Sequence, residues 1–242
     1  TLAHTDTLDP LNGVVSIACS ALNVFAVRSD GTVWRNTTFE RRFSQLPISK
    51  RIKTVSANIH SAVCLDHIGN VYMIKFSPKT NDATIEEINL PTQASVVACG
   101  FCISAIVCTD GKVYATRRSM SQSPEDFIWE KGITDEIVDV ACGTNHVVAI
   151  TADRRKVWTW GSNYQMQLGR DVDDEKEENA TRPPAPITLG QMGYCQKAIA
   201  TKGYTALLCT PPVTAYDLIA RETGLRRRKI RSKAEDYMIR NF

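Results

Sequence analysis

The apolar residues of this chain fall into short runs that recur along it, separated by turn sequences. In the clearest case an apolar run at residues 138–142 is followed by a second at 146–150 and, after a polar turn, by a third at 156–161. The runs are rich in Val, Ile, Ala and Cys and are four to six residues long. Runs of this length and composition, with turn residues between them, predict short antiparallel β-strands and not helices.

Four copies of this pattern occur, and a fifth is partial. Equivalent positions in the first strands are 37, 43, 43 and 58 residues apart: Ala18, Val55, Ala98, Ala141 and Ile199. Asp-Gly at 30–31 and 110–111 and Gly-Asn at 69–70 are hairpin-turn signals that favour positive φ. An aromatic residue follows each turn: Trp34, Tyr72, Tyr114 and Trp158. We therefore expect one strand meander per repeat, with the aromatic side chains between neighbouring repeats.

Four or five stacked meanders predict an all-β fold, a β-propeller of about four to five short blades, because radial repetition leaves only short sheet edges. The propeller domain is expected over residues 1–210, with residues 1–14 pairing with the partial fifth copy to close it. The small residues Ala18, Ala98 and Ala141 suit narrow inner strands. Residues 211–242 are expected to form a short helical basic tail, since Thr214 with Asp217, and Ser232 with Glu235, resemble helix starts.

Copy four carries a longer pattern that includes Ala141-Cys142-Gly143, His146, Val157-Trp158-Thr159-Trp160-Gly161, Asn163 and Gln167-Leu168-Gly169. In these residues the chain resembles the regulator of chromosome condensation repeat family of β-propellers. The resemblance covers roughly residues 13–210, and the first copy (residues 30–35) also resembles a tectonin repeat. Family propellers usually have more blades than this chain supplies. Three hypotheses stay open: part of a larger propeller, a smaller closed one, or a fragment of a multidomain protein.

The resemblance implies a non-enzymatic protein-interaction scaffold, which would be a segment of a larger signalling or ubiquitin-ligase protein. An alternative implied by the family is a guanine-nucleotide exchange factor or regulator of a small GTPase. A second alternative is nucleic-acid or chromatin binding through the basic tail. The motif residues of copy four are interpreted as structural: Trp158, Trp160, Gly161, Gln167, Leu168 and Gly169.

The composition is that of an ordinary globular protein, with 43% hydrophobic and 23% charged residues. No run of 18 apolar residues occurs, so no membrane-spanning helix is expected. The first residues lack a basic region followed by an apolar core, so no secretory signal is expected. Most of the eight cysteines lie in apolar runs, as buried thiols do in a reducing compartment. These features predict a cytoplasmic or nuclear location.

Few residues suggest catalysis, metal binding or cofactor binding. Cys99-Gly100-Phe101-Cys102 has the spacing of a redox dithiol or half a zinc site, but no second pair completes a site, so no metal or cofactor is expected. His60 and His146 share one repeat position and are interpreted as structural histidines bonded to loop backbone. No nucleophile elbow or phosphate-binding glycine loop occurs. The sequence therefore predicts that the chain is not an enzyme.

Charge is concentrated in two places. Residues 171–178 are strongly acidic, which is typical of a solvated insertion or of a contact for a basic partner. From residue 211 onward there are 8 Lys and Arg against 4 Asp and Glu. The candidate partner-binding residues are Arg226, Arg227, Arg228, Lys229, Arg231 and Lys233. This cluster fits a nuclear-localisation or acid-binding segment. It also fits a solvated end of the domain or a run leading into a next domain, or a helix-turn-helix built on Ala220, Gly224 and Ile230.

Overall fold

The computed structural model describes residues 12–20, 23–37, 43–59, 61–76, 83–117, 123–170 and 181–211. Within these ranges the chain forms strands and two single-turn 3₁₀ helices, Pro124–Asp126 and Gly190–Met192. The strands are β1 (Val14–Cys19), β2 (Asn23–Arg28), β3 (Val33–Thr37), β4 (Ser44–Gln45), β5 (Ile52–Ala57), β6 (Ser61–Asp66), β7 (Val71–Phe76), β8 (Ala83–Ile88), β9 (Ala94–Cys99), β10 (Ser104–Cys108), β11 (Val113–Ala115), β12 (Ile128–Trp129), β13 (Ile137–Cys142), β14 (His146–Thr151), β15 (Lys156–Gly161), β16 (Arg182–Thr188), β17 (Tyr194–Ala200) and β18 (Thr205–Thr210).

These strands form five antiparallel sheets that follow one another along the chain. Strands β1–β4, β5–β8, β9–β12 and β13–β16 are four-stranded meanders in sequence order, and β17 with β18 makes a two-stranded sheet. We call them blades one to five. Their first strands, β1, β5, β9, β13 and β17, pack against each other in order. The predicted all-β propeller with four to five blades is confirmed.

The core lies between neighbouring blades. Between blades one and two, Phe25 and Ile74 are completely buried, and the ring of Phe25 stacks on that of Phe76. In blades two, three and four, the predicted aromatic residue faces the preceding blade. Tyr72 packs against blade one, Tyr114 against blade two and Trp158 against blade three. Burial of these large rings, together with the aliphatic side chains around them, stabilises the contact between neighbouring sheets.

The hairpin turns between the second and third strands line one side of the disc, which we call the turn face. In each of the first four blades one turn residue has positive φ: Gly31 (86°), Gly69 (105°), Gly111 (76°) and Arg154 (60°). The carbonyl oxygen of each of these residues accepts a hydrogen bond from the first or second residue of the next blade's inner strand: Ile52, Ala94, Ile137 and Cys195, at 2.8–3.0 Å. The same turn conformation therefore links every blade to its successor.

One expectation was wrong, and one strand was not predicted. The proline-rich residues 182–186 belong to the outer strand β16, which pairs with β15. An outer strand bonds on one side only, so it tolerates proline nitrogens that have no hydrogen to donate. Val14, expected to help close the fifth blade, instead pairs with Arg28 in blade one. Residues 1–11, His60, the acidic residues 171–178 and the predicted helical tail after residue 211 lie outside the described residues.

Candidate functional site

Four loops from blades three, four and five form one connected surface on the side of the disc opposite the turn face. We call this side the loop face; the loops are residues 100–103, 143–145, 161–169 and 201–204. The amide of Cys102 donates to the carbonyl of Thr144 (2.9 Å), and the amide of Thr144 donates to the carbonyl of Thr201 (3.1 Å). The blades are thus joined through their loops as well as through their cores.

The longest of these loops, residues 161–169, is held by hydrogen bonds from its own side chains. The carboxamide oxygen of Asn163 accepts from the amide of Leu168 (3.0 Å), and that of Gln167 accepts from the amide of Gln165 (2.8 Å). The hydroxyl of Thr159 donates to the carbonyl of Leu168, whose side chain is buried. These contacts explain why the family pattern requires Asn, Gln and Leu at this spacing, and they confirm the structural interpretation.

His146 fastens this loop to blade five. Thr205 donates its hydroxyl hydrogen to the carbonyl of Gln167 (2.8 Å), so its oxygen is left to accept the N–H at Nε2 of His146 (3.0 Å). Burial lowers the pKa of His146 to about 4, an effect that the backbone of Tyr204 partly opposes. The imidazole is therefore neutral near pH 7. The predicted structural role of His146 is confirmed: it bonds to the Thr205 hydroxyl, and the backbone of Tyr204 in the adjoining loop also acts on it.

Glycine is required beside this histidine for reasons of space. A Cβ added at Gly143 would lie 2.2 Å from Cε1 of His146 and 2.3 Å from the carbonyl oxygen of Thr201. A Cβ at Gly203 would overlap the carboxamide of Gln165. The loops of blades four and five are therefore in direct contact, and the surface they form is rigid.

Large apolar side chains project from these connected loops. Phe101 is 39% exposed, Tyr164 57%, Met166 65% and Tyr204 75%. Met166 also has positive φ (59°), a conformation that its loop imposes on it. We call these four residues the loop patch. Exposed apolar groups on a preorganised surface are typical of protein-binding sites.

Burial raises the pKa of the Cys99 thiol to about 11, and raises the pKa of Cys195 to about 11 as well, so both remain protonated. All eight cysteines are free thiols. Within the described ranges, no group of three or more His, Cys, Asp or Glu side chains is placed to bind a metal ion. In the same ranges, no helix is both long and apolar enough to span a membrane.

The predicted basic residues, Arg226, Arg227, Arg228, Lys229, Arg231 and Lys233, lie outside the described residues, so the structure does not place them. The loop patch was not predicted from the sequence. The one signal in the sequence was the run Ser162–Leu168, which contains no charged residue. A loop that is only solvated would be expected to contain charged residues.

The repeat pattern of blade four matches a known family model. Residues 137–167 match the model of the regulator of chromosome condensation (RCC1) repeat. Residues 137–167 are therefore similar in sequence to an RCC1 repeat. The matched segment comprises β13, β14, β15 and the loop that carries Asn163 and Gln167. The resemblance stated from the sequence is thereby confirmed.

Known proteins share parts of the sequence and the fold. The protein pim1 of Schizosaccharomyces pombe is 33% identical over 79 residues, which is 33% of this chain and 14% of pim1. The structure of human WBSCR16 superposes with a TM-score of 0.66 at 14% identity, over 83% of this chain and 58% of WBSCR16. Prp20p of Saccharomyces cerevisiae, described with its binding properties to Gsp1p and histones, gives 0.66 at 12% identity, over 87% and 59%. These structures share the fold, and this chain spans less than two thirds of each.

Proposed function

We propose that this chain is a non-enzymatic protein-interaction scaffold of the nucleus or cytoplasm, and that it binds a protein partner through the loop patch. The observation that carries the proposal is the exposure of Phe101, Tyr164, Met166 and Tyr204 on loops fixed by hydrogen bonds between three blades. A rigid surface loses little conformational entropy on binding, and exposed aromatic side chains gain contact area at low entropic cost.

The test is an affinity pull-down read by mass spectrometry, with the unaltered chain and two variants. The first variant, Tyr164→Ser with Tyr204→Ser, removes two rings of the loop patch. The second, Ile68→Ser with Met192→Ser, removes two similarly exposed apolar side chains from the turn face and is the matched control. A partner that is lost only with the first variant supports the proposal. A partner retained by the first variant and lost with the control would place the binding site on the turn face.

A second candidate function is regulation of a small GTPase. It is favoured by the sequence match to pim1 and by the shared fold with Prp20p, whose structure was described with its binding to Gsp1p. The measurement is release of a fluorescent guanine nucleotide from a small GTPase with and without this chain. An exchange factor accelerates release, whereas a scaffold leaves the rate unchanged.

The basic run at residues 226–233 is proposed as a separate contact for an acidic partner, including nucleic acid. The support is its charge: the tail from residue 211 carries a net +4, against −1 for the preceding 210 residues. Binding to nucleic acid should weaken steeply with salt, because each phosphate contact releases counterions. Neutralising Arg226, Arg227, Arg228, Lys229, Arg231 and Lys233 should abolish it, while the Tyr164→Ser and Tyr204→Ser changes should not.

A further inference from the structure

Blade five contains two cysteines that stand directly opposite each other on neighbouring strands. Cys195 in β17 pairs with Cys209 in β18, although the two residues are 14 positions apart in the sequence. Directly opposed residues of an antiparallel pair carry their side chains on the same face of the sheet. Here both side chains pack into the core between blades four and five. The strand register therefore brings together two thiols that no sequence motif connects.

The backbone sets this pair at the closer of the two spacings that an antiparallel ladder offers. The amide of Cys195 donates to the carbonyl of Arg154 (2.8 Å), and the guanidinium of Arg154 donates to the carbonyl of Cys195 (3.2 Å). Both backbone groups of Cys195 thus point away from β18, which makes Cys195 and Cys209 a non-hydrogen-bonded pair. Such pairs have Cα atoms about 4.5 Å apart, and disulfides span Cα separations of about 4.4–6.8 Å. A disulfide can therefore form here without movement of the strands.

The two thiols differ in their access to solvent. Cys195 is completely buried, whereas Cys209 is partly exposed. Burial, together with contact with the Cys209 thiol, raises the pKa of Cys195 to about 11. The Cys195 thiol is therefore protonated near pH 7 and unreactive on its own. An oxidant in solution meets Cys209 first, and Cys195 is placed to react second.

We propose that Cys195 and Cys209 are a redox-active dithiol, which a small-molecule disulfide such as glutathione disulfide converts to a covalent bond between β17 and β18. The Cys209 thiolate attacks one sulfur of the small disulfide, the S–S bond of that molecule breaks, and one small thiolate leaves. Cys195 then gives its proton to solvent and attacks Sγ of Cys209, which displaces the second small thiolate. The protein loses two electrons and two protons, and the small disulfide becomes two thiols.

The short spacing of the pair predicts a bond that is reversible. Most disulfides have Cα atoms about 5.5–6 Å apart, and a bond held away from this spacing is more easily reduced. Disulfides of reducing compartments are typically transient and redox-sensing. We therefore expect reduced glutathione to reopen the bond between β17 and β18.

The bond would fasten the hairpin of blade five that supports the loop patch. The two cysteines close residues 195–209, and the loop of this hairpin carries Tyr204. Thr205 in the same hairpin bonds to His146 and to the carbonyl of Gln167. A cross-link reduces the entropy gained when the hairpin opens, so opening becomes rarer. Oxidation therefore stiffens the support of the loop patch, and reduction releases it.

Disulfide mapping on the full chain tests the proposal. The native protein is equilibrated with oxidised and reduced glutathione at varied ratios, free thiols are blocked with N-ethylmaleimide, and unreduced peptides are identified by mass spectrometry. A peptide linked through Cys195 and Cys209 should accumulate as the ratio rises and disappear in excess reduced glutathione. In the linked form, hydrogen exchange of residues 197–208 should slow by roughly tenfold or more, while exchange of residues 61–66 in blade two stays unchanged.

Three variants separate the roles of the cysteines. Cys195→Ser should leave Cys209 as a mixed disulfide with glutathione, because it removes the thiol that would displace the glutathione. Cys209→Ser should abolish the linked peptide and leave the buried Cys195 unmodified. The matched control, Cys19→Ser, removes an exposed thiol from β1 and should leave the yield of the linked peptide unchanged.

Three results would overturn the proposal. The first is modification of Cys19 by glutathione at ratios that yield no peptide linked through Cys195 and Cys209. The second is a linked peptide that persists in excess reduced glutathione, which would identify a structural disulfide. The third is equally fast linkage in the urea-unfolded chain, because strand pairing would then not direct the reaction.

Discussion

Replacing Gly143 by alanine should destabilise the junction between blades four and five more than its single added methyl group would suggest. The new Cβ would lie 2.2 Å from His146 and 2.3 Å from the carbonyl of Thr201, and neither neighbour can withdraw freely. The imidazole is buried and bonded to Thr205, and the Thr201 carbonyl accepts the amide of Thr144. Overpacking of a well-ordered site costs roughly 1–3 kcal/mol, and we expect the upper end, about 3 kcal/mol.

Urea unfolding followed by tryptophan fluorescence measures this cost, because Trp158 and Trp160 lie in blade four. With an m-value of about 3 kcal/mol per M, the midpoint should fall by about 1 M. Gly132→Ala is the control: its Cβ would meet only Pro184, at 4.0 Å, so the midpoint should be nearly unchanged. The double variant Gly143→Ala with His146→Ala removes one of the two clashing partners. Its loss of unfolding free energy should therefore be smaller than the sum of the losses in the two single variants. If Gly143→Ala cost no more than Gly132→Ala, the steric explanation would be refuted.

Three further predictions follow from named residues. The folded pKa of His146 is about 4 against 6.5 unfolded, so the unfolded chain binds more protons between these values. The free energy of unfolding should therefore drop by up to about 3 kcal/mol as the pH falls from 6.5 to 4, and urea titrations of His146→Gln should show a smaller drop. Gly31→Ala should lower the thermal midpoint by several degrees, because its φ is 86° and the Cβ would lie 2.7 Å from the Cα of Arg51. A thiol-specific reagent followed by peptide mapping should label the exposed Cys19 fastest in the native protein, and rapid labelling of Cys64 would contradict the buried strand β6.

The repeat could be predicted from the sequence because the signals for its inner strands are local. Asp-Gly turns, the aromatic after each turn and the short apolar runs depend on neighbours in sequence, and their positions agree with the observed strands. The outer strands could not be predicted in this way. β4 and β12 contain two residues each, and β16 contains three prolines, so their pairing depends on the strand beside them and not on their own composition.

The candidate site was predicted less well than the fold. His146 and the residues of the 161–169 loop were interpreted correctly as structural, since their spacing matches one repeat. The loop patch was missed because Phe101, Tyr164 and Tyr204 come from three blades and are brought to one surface only by the bonds between loops. A surface assembled from distant segments leaves no pattern in any single stretch of sequence.

The hydrogen bond from each turn carbonyl to the next blade makes every unit depend on its immediate neighbours. Stability in such an array is close to a sum of unit terms and nearest-neighbour terms, as in a linear chain of coupled elements. Within the described residues, blades two, three and four each have two neighbours, while blades one and five have one. Local opening should therefore begin at the ends of the array and progress inwards. Destabilising the middle blade would uncouple the two halves, so that each half would unfold in its own transition.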